Sequence, residues 1–242
     1  ESYLLAEKRC SLHTVEAYLK DVSTFQDFLS LQDDKEWRDV NYQNVRAWIV
    51  CLVEKKDAAV TVNRKLSSLR TFFKWLKSNG HINVNPMQKI KGLKAAKPLP
   101  TFVKETQLEK EKLTRLFPDS FEGTRDRLLI ELFYQTGMRL SELITLDDNC
   151  FNAQAIKVLG KRNKERWIPI SPELQSNLSE FVSEKRNIFP DLNTLFCTDT
   201  GKKLYPKFVY RKINFYLSHL TELKKKSPHV LRHTFATHML NN

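Results

Sequence analysis

Along the first ninety residues the apolar side chains return every three or four positions, a spacing that admits little besides a bundle of amphipathic helices. From Ser11, a residue type suited to capping a helix N-terminus, Val15, Tyr18, Leu19, Val22, Phe25, Phe28 and Leu29 make one stripe. Val45, Trp48, Ile49 and Leu52 make a second. Val62, Leu66, Leu69, Phe72, Phe73 and Leu76 make a third, with Gly80 following where a C-terminal cap belongs. Arg64, Lys65, Arg70 and Lys74 fall outside that third stripe. They form either a basic ridge that meets a DNA groove and its phosphates or an ordinary solvated face, and the spacing alone does not choose.

The stretch KIKGLKAAKPLPTFVK, residues 89–104, is rich in lysine, holds two prolines and loses the periodicity, so it reads as a linker. Residues 1–91 are therefore expected as a helical domain, 92–104 as a basic linker and 105–242 as a second domain. In the second domain helical spacing runs from Leu108 to Phe117 and from Thr124 to Gln135, where Gly137 ends it. Two β-prone runs, Ala155 to Leu159 and Trp167 to Ile170, flank the polar turn GKRNKER and predict a hairpin. Helical patterns then return at Pro172 to Arg186, Tyr205 to Leu220 and Pro228 onward. The expected fold class is mainly α with a small β-hairpin.

The formal net charge is +12, shared by both halves. A surplus of that size favours a polyanionic partner, nucleic acid before an acidic membrane surface, and suggests that both domains touch it. There is no apolar run near about 18 residues and no signal-peptide pattern, so spanning or secretion has no support. Cys10, Cys51, Cys150 and Cys197 form no CxxC pair, which disfavours zinc ribbons and redox motifs and points to free thiols in the cytoplasm. The chain opens on Glu1 and closes in an uncapped amphipathic stretch, so both ends are read as cut.

Three local features carry possible chemistry. In TGMRLSEL, Thr136 to Leu143, Gly137 ends one helix, Ser141 is placed to cap the next, and Arg139 projects from the junction. By itself Arg139 reads better as a common surface arginine paired with Glu142. The hairpin turn crowds Lys161, Arg162, Lys164 and Arg166 around Glu165, either a solvated tip or a finger that follows a DNA groove. In SPHVLRHTFATHML, Ser227 to Leu240, Ser227 and Pro228 suit a helix start and put His229 and Arg232 on one face near its positive end. His229 and His233 lack the glutamate of HExxH and any acidic ligand nearby, so no metal is expected.

In this order, with the helix TVNRKLSSLRTFFKWL before them and VLGKRNKERWIPI between, the features resemble the tyrosine recombinase (lambda-integrase-like) family, in particular Xer-type recombinases and transposon integrases. The resemblance covers nearly the whole chain. It implies an N-terminal core-binding (SAM-like) domain and a catalytic domain, incomplete here. It also implies a double-stranded DNA recombination site as substrate, no cofactor, and a homo- or hetero-tetramer on DNA. Arg139 matches the family's first catalytic arginine and Glu142 its supporting acid. Lys161 matches the hairpin lysine, and His229 and Arg232 match the HxxR box. Two guanidiniums suit charge building on a phosphodiester, a lysine can protonate the leaving 5′ oxygen, and a histidine can exchange the attacker's proton. The family's tyrosine nucleophile follows the HxxR box. All seven tyrosines here precede His229, so no nucleophile is expected among them. The runner-up reading is a DNA-binding protein that does not cleave.

Overall fold

The computed structural model describes residues 1–31, 36–96, 101–108, 115–160 and 164–241, and the chain divides into two compact units, Glu1–Pro98 and Leu99–Asn242. In the first unit the three apolar stripes become helices α1 (Leu12–Ser30), α2 (Tyr42–Glu54) and α3 (Ala59–Ser78). Ser11 caps α1, its Oγ accepting from the Thr14 N–H, and Asn41 caps α2 by accepting from Gln43 and Asn44. The buried faces meet over Phe25, Trp48, Leu66, Leu69 and Phe73, with the Phe25 and Trp48 rings edge-on at 5.0 Å. Leu19, counted into the first stripe, stays exposed.

Most of the basic residues set aside on α3 have partners within their own unit. Arg64 donates to both carboxylate oxygens of the buried Asp21, at 2.5 and 2.9 Å, and Ser68 Oγ adds a third bond at 2.7 Å. Lys65 reaches Asp57 at 2.7 Å and Arg70 donates to the Ile90 carbonyl at 3.0 Å, while Lys74 is exposed. The segment read as a linker is docked at both margins. Asn63 brackets Leu93 with two hydrogen bonds of 2.8 and 2.9 Å, and Val103 is buried with its N–H on Thr234 Oγ1.

The second unit is built around α4 (Phe121–Thr136), whose Leu128, Leu129, Ile130, Leu132 and Phe133 are all buried. A helix apolar on so many sides must be enclosed, and α6 (Pro172–Ile188), α7 (Pro206–Leu220) and α8 (Pro228–Asn241) pack against it. Its start is set by Ser120, which caps Gly123, earlier than the expected Thr124. The short α5 (Leu140–Ile144) follows, then β1 (Ala155–Leu159) and β2 (Glu165–Pro169), paired antiparallel from Ala155↔Pro169 to Leu159↔Glu165. Most of the helix expected between Leu108 and Phe117 lies outside the described residues. Two buried cations brace the unit. Arg125 binds Asp126, Asp199 and the Cys197 carbonyl, and Lys185 binds Asp148 and the Leu192 and Thr194 carbonyls. Both are fully enclosed, so each holds a turn of irregular chain that the apolar core does not. Among the described residues no helix is long and apolar enough to cross a membrane.

Candidate active site

The site begins where α4 stops. Gly137 ends the helix at φ +57°, a left-handed conformation that favours glycine, and a Cβ there would stand 2.3 Å from Phe235 of α8. The backbone at the end of α4 therefore touches α8, and Arg232, one turn before Phe235, donates from Nη1 to the Gly137 carbonyl. Two residues past Gly137 the chain enters α5 with Arg139 as its N-cap. Ser141 was expected to cap this helix but lies inside it. The Glu142 carboxylate does the work instead, accepting from the Arg139 backbone N–H at 2.7 Å and from Arg139 Nη1 at 2.9 Å. In a helix of five residues a side chain reaching back from the first turn is the nearest available acceptor.

Strand β2 completes the arrangement. Arg166 lays its guanidinium across Glu142, Nη1 to Oε1 and Nη2 to Oε2, both at 2.9 Å. Burial pushes the Glu142 carboxyl up, but the bonds from Arg166 and from Arg139 outweigh it and hold the group down at about 2. It is thus a fixed anion, with only 3% of its side chain exposed. Burial, then the neighbouring charges of Arg139 and Arg166, lower the Arg232 guanidinium below its usual range, with Glu142 opposing them. Two guanidiniums therefore bond to one carboxylate, a third lies within reach of its charge, and the group is left with an unbalanced positive charge. Half of the Arg139 side chain is exposed, so that charge is open to an incoming anion. Beside it Arg166, Trp167, Arg232, His233 and Phe235 line a cleft of about 410 Å³.

Of the residues singled out in the sequence, the structure brings Arg139, Glu142 and Arg232 into one electrostatic group. His229 is exposed on α8 one turn before Arg232, and Lys164 is exposed while its carbonyl closes the hairpin turn on the Gly160 N–H at 2.8 Å. Lys161 and Arg162 lie outside the described residues. Arg166, read in the sequence only as part of a DNA-contacting tip, sits on the strand with its head turned onto Glu142. The alternation of β2 held a signal for this, since Arg166 and Ile168 share its less exposed face. The second unit's tyrosines are engaged elsewhere or sit on α7. Tyr134 shares a hydrogen bond with His238 at 3.1 Å, Tyr216 donates to Asp126 at 3.2 Å, Tyr205 accepts from Arg211 at 3.1 Å, and Tyr210 is exposed on α7. The four cysteines are free. Among the described residues no group of three or more His, Cys, Asp or Glu side chains is placed to hold a metal ion.

Comparison with known proteins gives the same outline. Residues 104–242 match the phage integrase family and residues 1–80 match the phage integrase N-terminal SAM-like domain. The chain is 33% identical over 248 residues to the tyrosine recombinase XerC of Thermodesulfovibrio yellowstonii, an alignment covering 99% of this chain and 80% of that protein. It is also 33% identical over 250 residues to XerC of Oceanobacillus iheyensis, again covering 99% of this chain and 80% of the other. Among solved structures, XerH site-specific recombinase bound to a palindromic difH substrate in a post-cleavage complex superposes with a TM-score of 0.79. That match is 21% identical and covers 96% of this chain and 70% of the other. The Tn1549 transposon integrase in complex with circular intermediate DNA follows at a TM-score of 0.74 and 19% identity, covering 96% and 82%. At those identities the two structures attest the fold.

Proposed function

Since the chain belongs to the phage integrase family of tyrosine recombinases, we propose that its arginine cluster is a clamp for the scissile phosphate of a DNA recombination site. The observation that carries this reading is the grouping of Arg139, Arg166 and Arg232 about the single buried carboxylate of Glu142. In-line attack on a phosphodiester gathers negative charge on the non-bridging oxygens, and preorganised guanidiniums neutralise it with forked hydrogen bonds. Arg139 and Arg232 meet those oxygens, and Glu142 holds Arg139 in place. Lys161 protonates the leaving 5′ oxygen, and His229 exchanges the proton of the attacking hydroxyl. Strand exchange then passes through a 3′-phosphotyrosyl link that conserves the bond energy, so it needs no nucleotide.

In this reading Arg64, Lys65, Arg70, Lys74, Arg162 and Lys164 serve the duplex, with Lys74 and Lys164 best exposed for it and Arg64 half-exposed despite its bond to Asp21. The recombinase works in the cytoplasm as a homo- or hetero-tetramer on two DNA sites. None of the seven tyrosines is the attacking group, because all precede His229 while the family's tyrosine follows the HxxR box. These 242 residues therefore bind DNA without forming a covalent adduct of their own. The test is a suicide duplex nicked beside the scissile phosphate. The gene product with its tyrosine traps a 3′-linked adduct and the 242-residue polypeptide does not. An adduct from the latter, or none from the former, overturns the assignment. In the second case the non-cleaving DNA-binding reading takes its place.

A further inference from the structure

Glu142 has four lone-pair positions and all four are occupied. Oε1 accepts from Arg139 Nη1 and Arg166 Nη1, both at 2.9 Å, and Oε2 accepts from the Arg139 backbone N–H at 2.7 Å and Arg166 Nη2 at 2.9 Å. Arg139 is thereby limited to a single side-chain bond with its own helix's carboxylate, and among the described residues the rest of its five-donor fork stays uncommitted. Left alone, an arginine and a carboxylate three residues apart would close into the parallel two-bond pair that is their strongest geometry. The fork would then be spent inside the protein. Arg166 occupies the position that this closure needs.

From this we infer that Arg166 is a positioning residue that keeps Arg139 open for an oxyanion by saturating Glu142. The inference rests on the reading of Arg139 and Arg232 as a phosphate clamp. It assigns Arg166 to the clamp's support instead of to the DNA-contacting tip. A second observation concerns the space Arg166 uses. At Gly160, the residue after β1, a Cβ would meet Arg166 Nη1 at 2.9 Å, the Lys164 carbonyl at 3.2 Å and Glu142 Oε1 at 3.8 Å. The missing side chain at Gly160 is the gap through which the Arg166 guanidinium reaches Glu142. Its φ is not in the left-handed range, so an alanine there adds no φ strain; its nearest clash is with the Arg166 guanidinium, with a lesser one on the Lys164 carbonyl.

The test uses the 242-residue polypeptide, inorganic phosphate as the anion, and arginine-selective ¹⁵N NMR to follow the Arg139 and Arg232 guanidiniums. Four variants are compared with the parent: Arg139→Ala, Arg166→Ala, Arg166→Lys and Gly160→Ala. Arg166→Ala is expected to weaken phosphate binding by about tenfold or more, the scale of one lost hydrogen bond to a charged group. Arg166→Lys keeps the charge but offers one point contact where two oxygens need filling, so it is expected to weaken binding nearly as much. Gly160→Ala keeps the arginine and moves it, and is expected to do the same. In each the Arg139 side-chain resonances should become more restricted as the fork closes on Glu142, the reverse of what general loosening produces. Wild-type affinity in Arg166→Lys would mean that only charge counts and would overturn the inference, as would greater Arg139 mobility in Arg166→Ala. Phosphate binding unaffected by Arg139→Ala would instead refute the clamp itself, so the two failures are distinguishable.

Discussion

Replacing Glu142 by glutamine tests the electrostatic centre of the catalytic unit with a nearly isosteric change. The carboxyl is held at about 2 against an ordinary 4.5, a difference that converts to about 3 kcal/mol of folding stability at neutral pH. The folded-state value is the depressed one, so this stability is fully present above about pH 4.5 and disappears as pH falls toward 2. Glutamine carries no charge and presents an NH₂ group to donors that now face Oε1 or Oε2. It therefore loses the carboxylate's attraction and sets N–H against N–H at one position. The cost falls in the range of about 3–5 kcal/mol for leaving buried charge without its partner.

The measurement is urea unfolding of parent and Glu142→Gln at several pH values between 7 and 3, with hydrogen exchange of the α4 and α6 peptides reporting the catalytic unit separately. The stability gap should be about 3 kcal/mol at pH 7, unchanged to pH 5, and shrinking below that as the parent's unfolded state takes up a proton that the folded carboxylate, held at about 2, still refuses. Comparing the two proteins at each pH removes the acid sensitivity they share through other carboxylates. A gap under about 1 kcal/mol at pH 7, or one that stays constant down to pH 3, would falsify the account of Glu142 as a charge-stabilised hub.

Gly137→Ala should destabilise the catalytic unit by at least about 2 kcal/mol, because φ +57° is strained for alanine and its Cβ would strike Phe235, and the loss should appear in hydrogen exchange of α8. Asp21→Ala should lower the first unit's stability by about 3 kcal/mol or more, since Arg64 and Ser68 lose a buried partner, whereas Lys74→Ala should leave stability unchanged and weaken duplex binding. Maleimide should label Cys10 and Cys51 in the native protein but not Cys150, whose thiol burial pushes up to about 12, nor the buried Cys197. Duplex affinity should fall steeply with added salt as lysine and arginine contacts release counterions, and a flat titration would count against a phosphate-directed interface. Trypsin should cut early after Lys94, which is exposed and lies just past the stretch that Asn63 pins at Leu93.

What the sequence made legible is what short-range periodicity and residue chemistry encode. The stripes of α1 to α3, the stop at Gly137 and the paired β runs follow from which side chains can share a face and which backbone angles glycine favours. The arginines at 139 and 232 stood out because they sit beside a helix break and a helix start. The fate of each basic residue was not legible, because an arginine looks alike whether it faces water, a carboxylate or a phosphate. Arg64 and Arg166 both stood with the DNA contacts on charge alone, and both bind a carboxylate through two bonds reaching across 43 and 24 residues. Nothing local pairs them with Asp21 or Glu142. Such pairs do share a mark, however. Each acid stands by a buried apolar anchor of its own helix, Asp21 one turn before Phe25 and Glu142 next to Leu143, so burial of the anchor drags the acid inward. A buried acid must find a cation, and in a chain with twelve spare positive charges it draws one from the surface supply. Such pairing leaves the net surplus as it is, because each pair removes one charge of either sign, but it narrows which cations stay open to an anion. On the proposed clamp reading, the guanidinium donors left over beside a saturated acid, those of half-exposed Arg139 foremost, are the ones open to a phosphate.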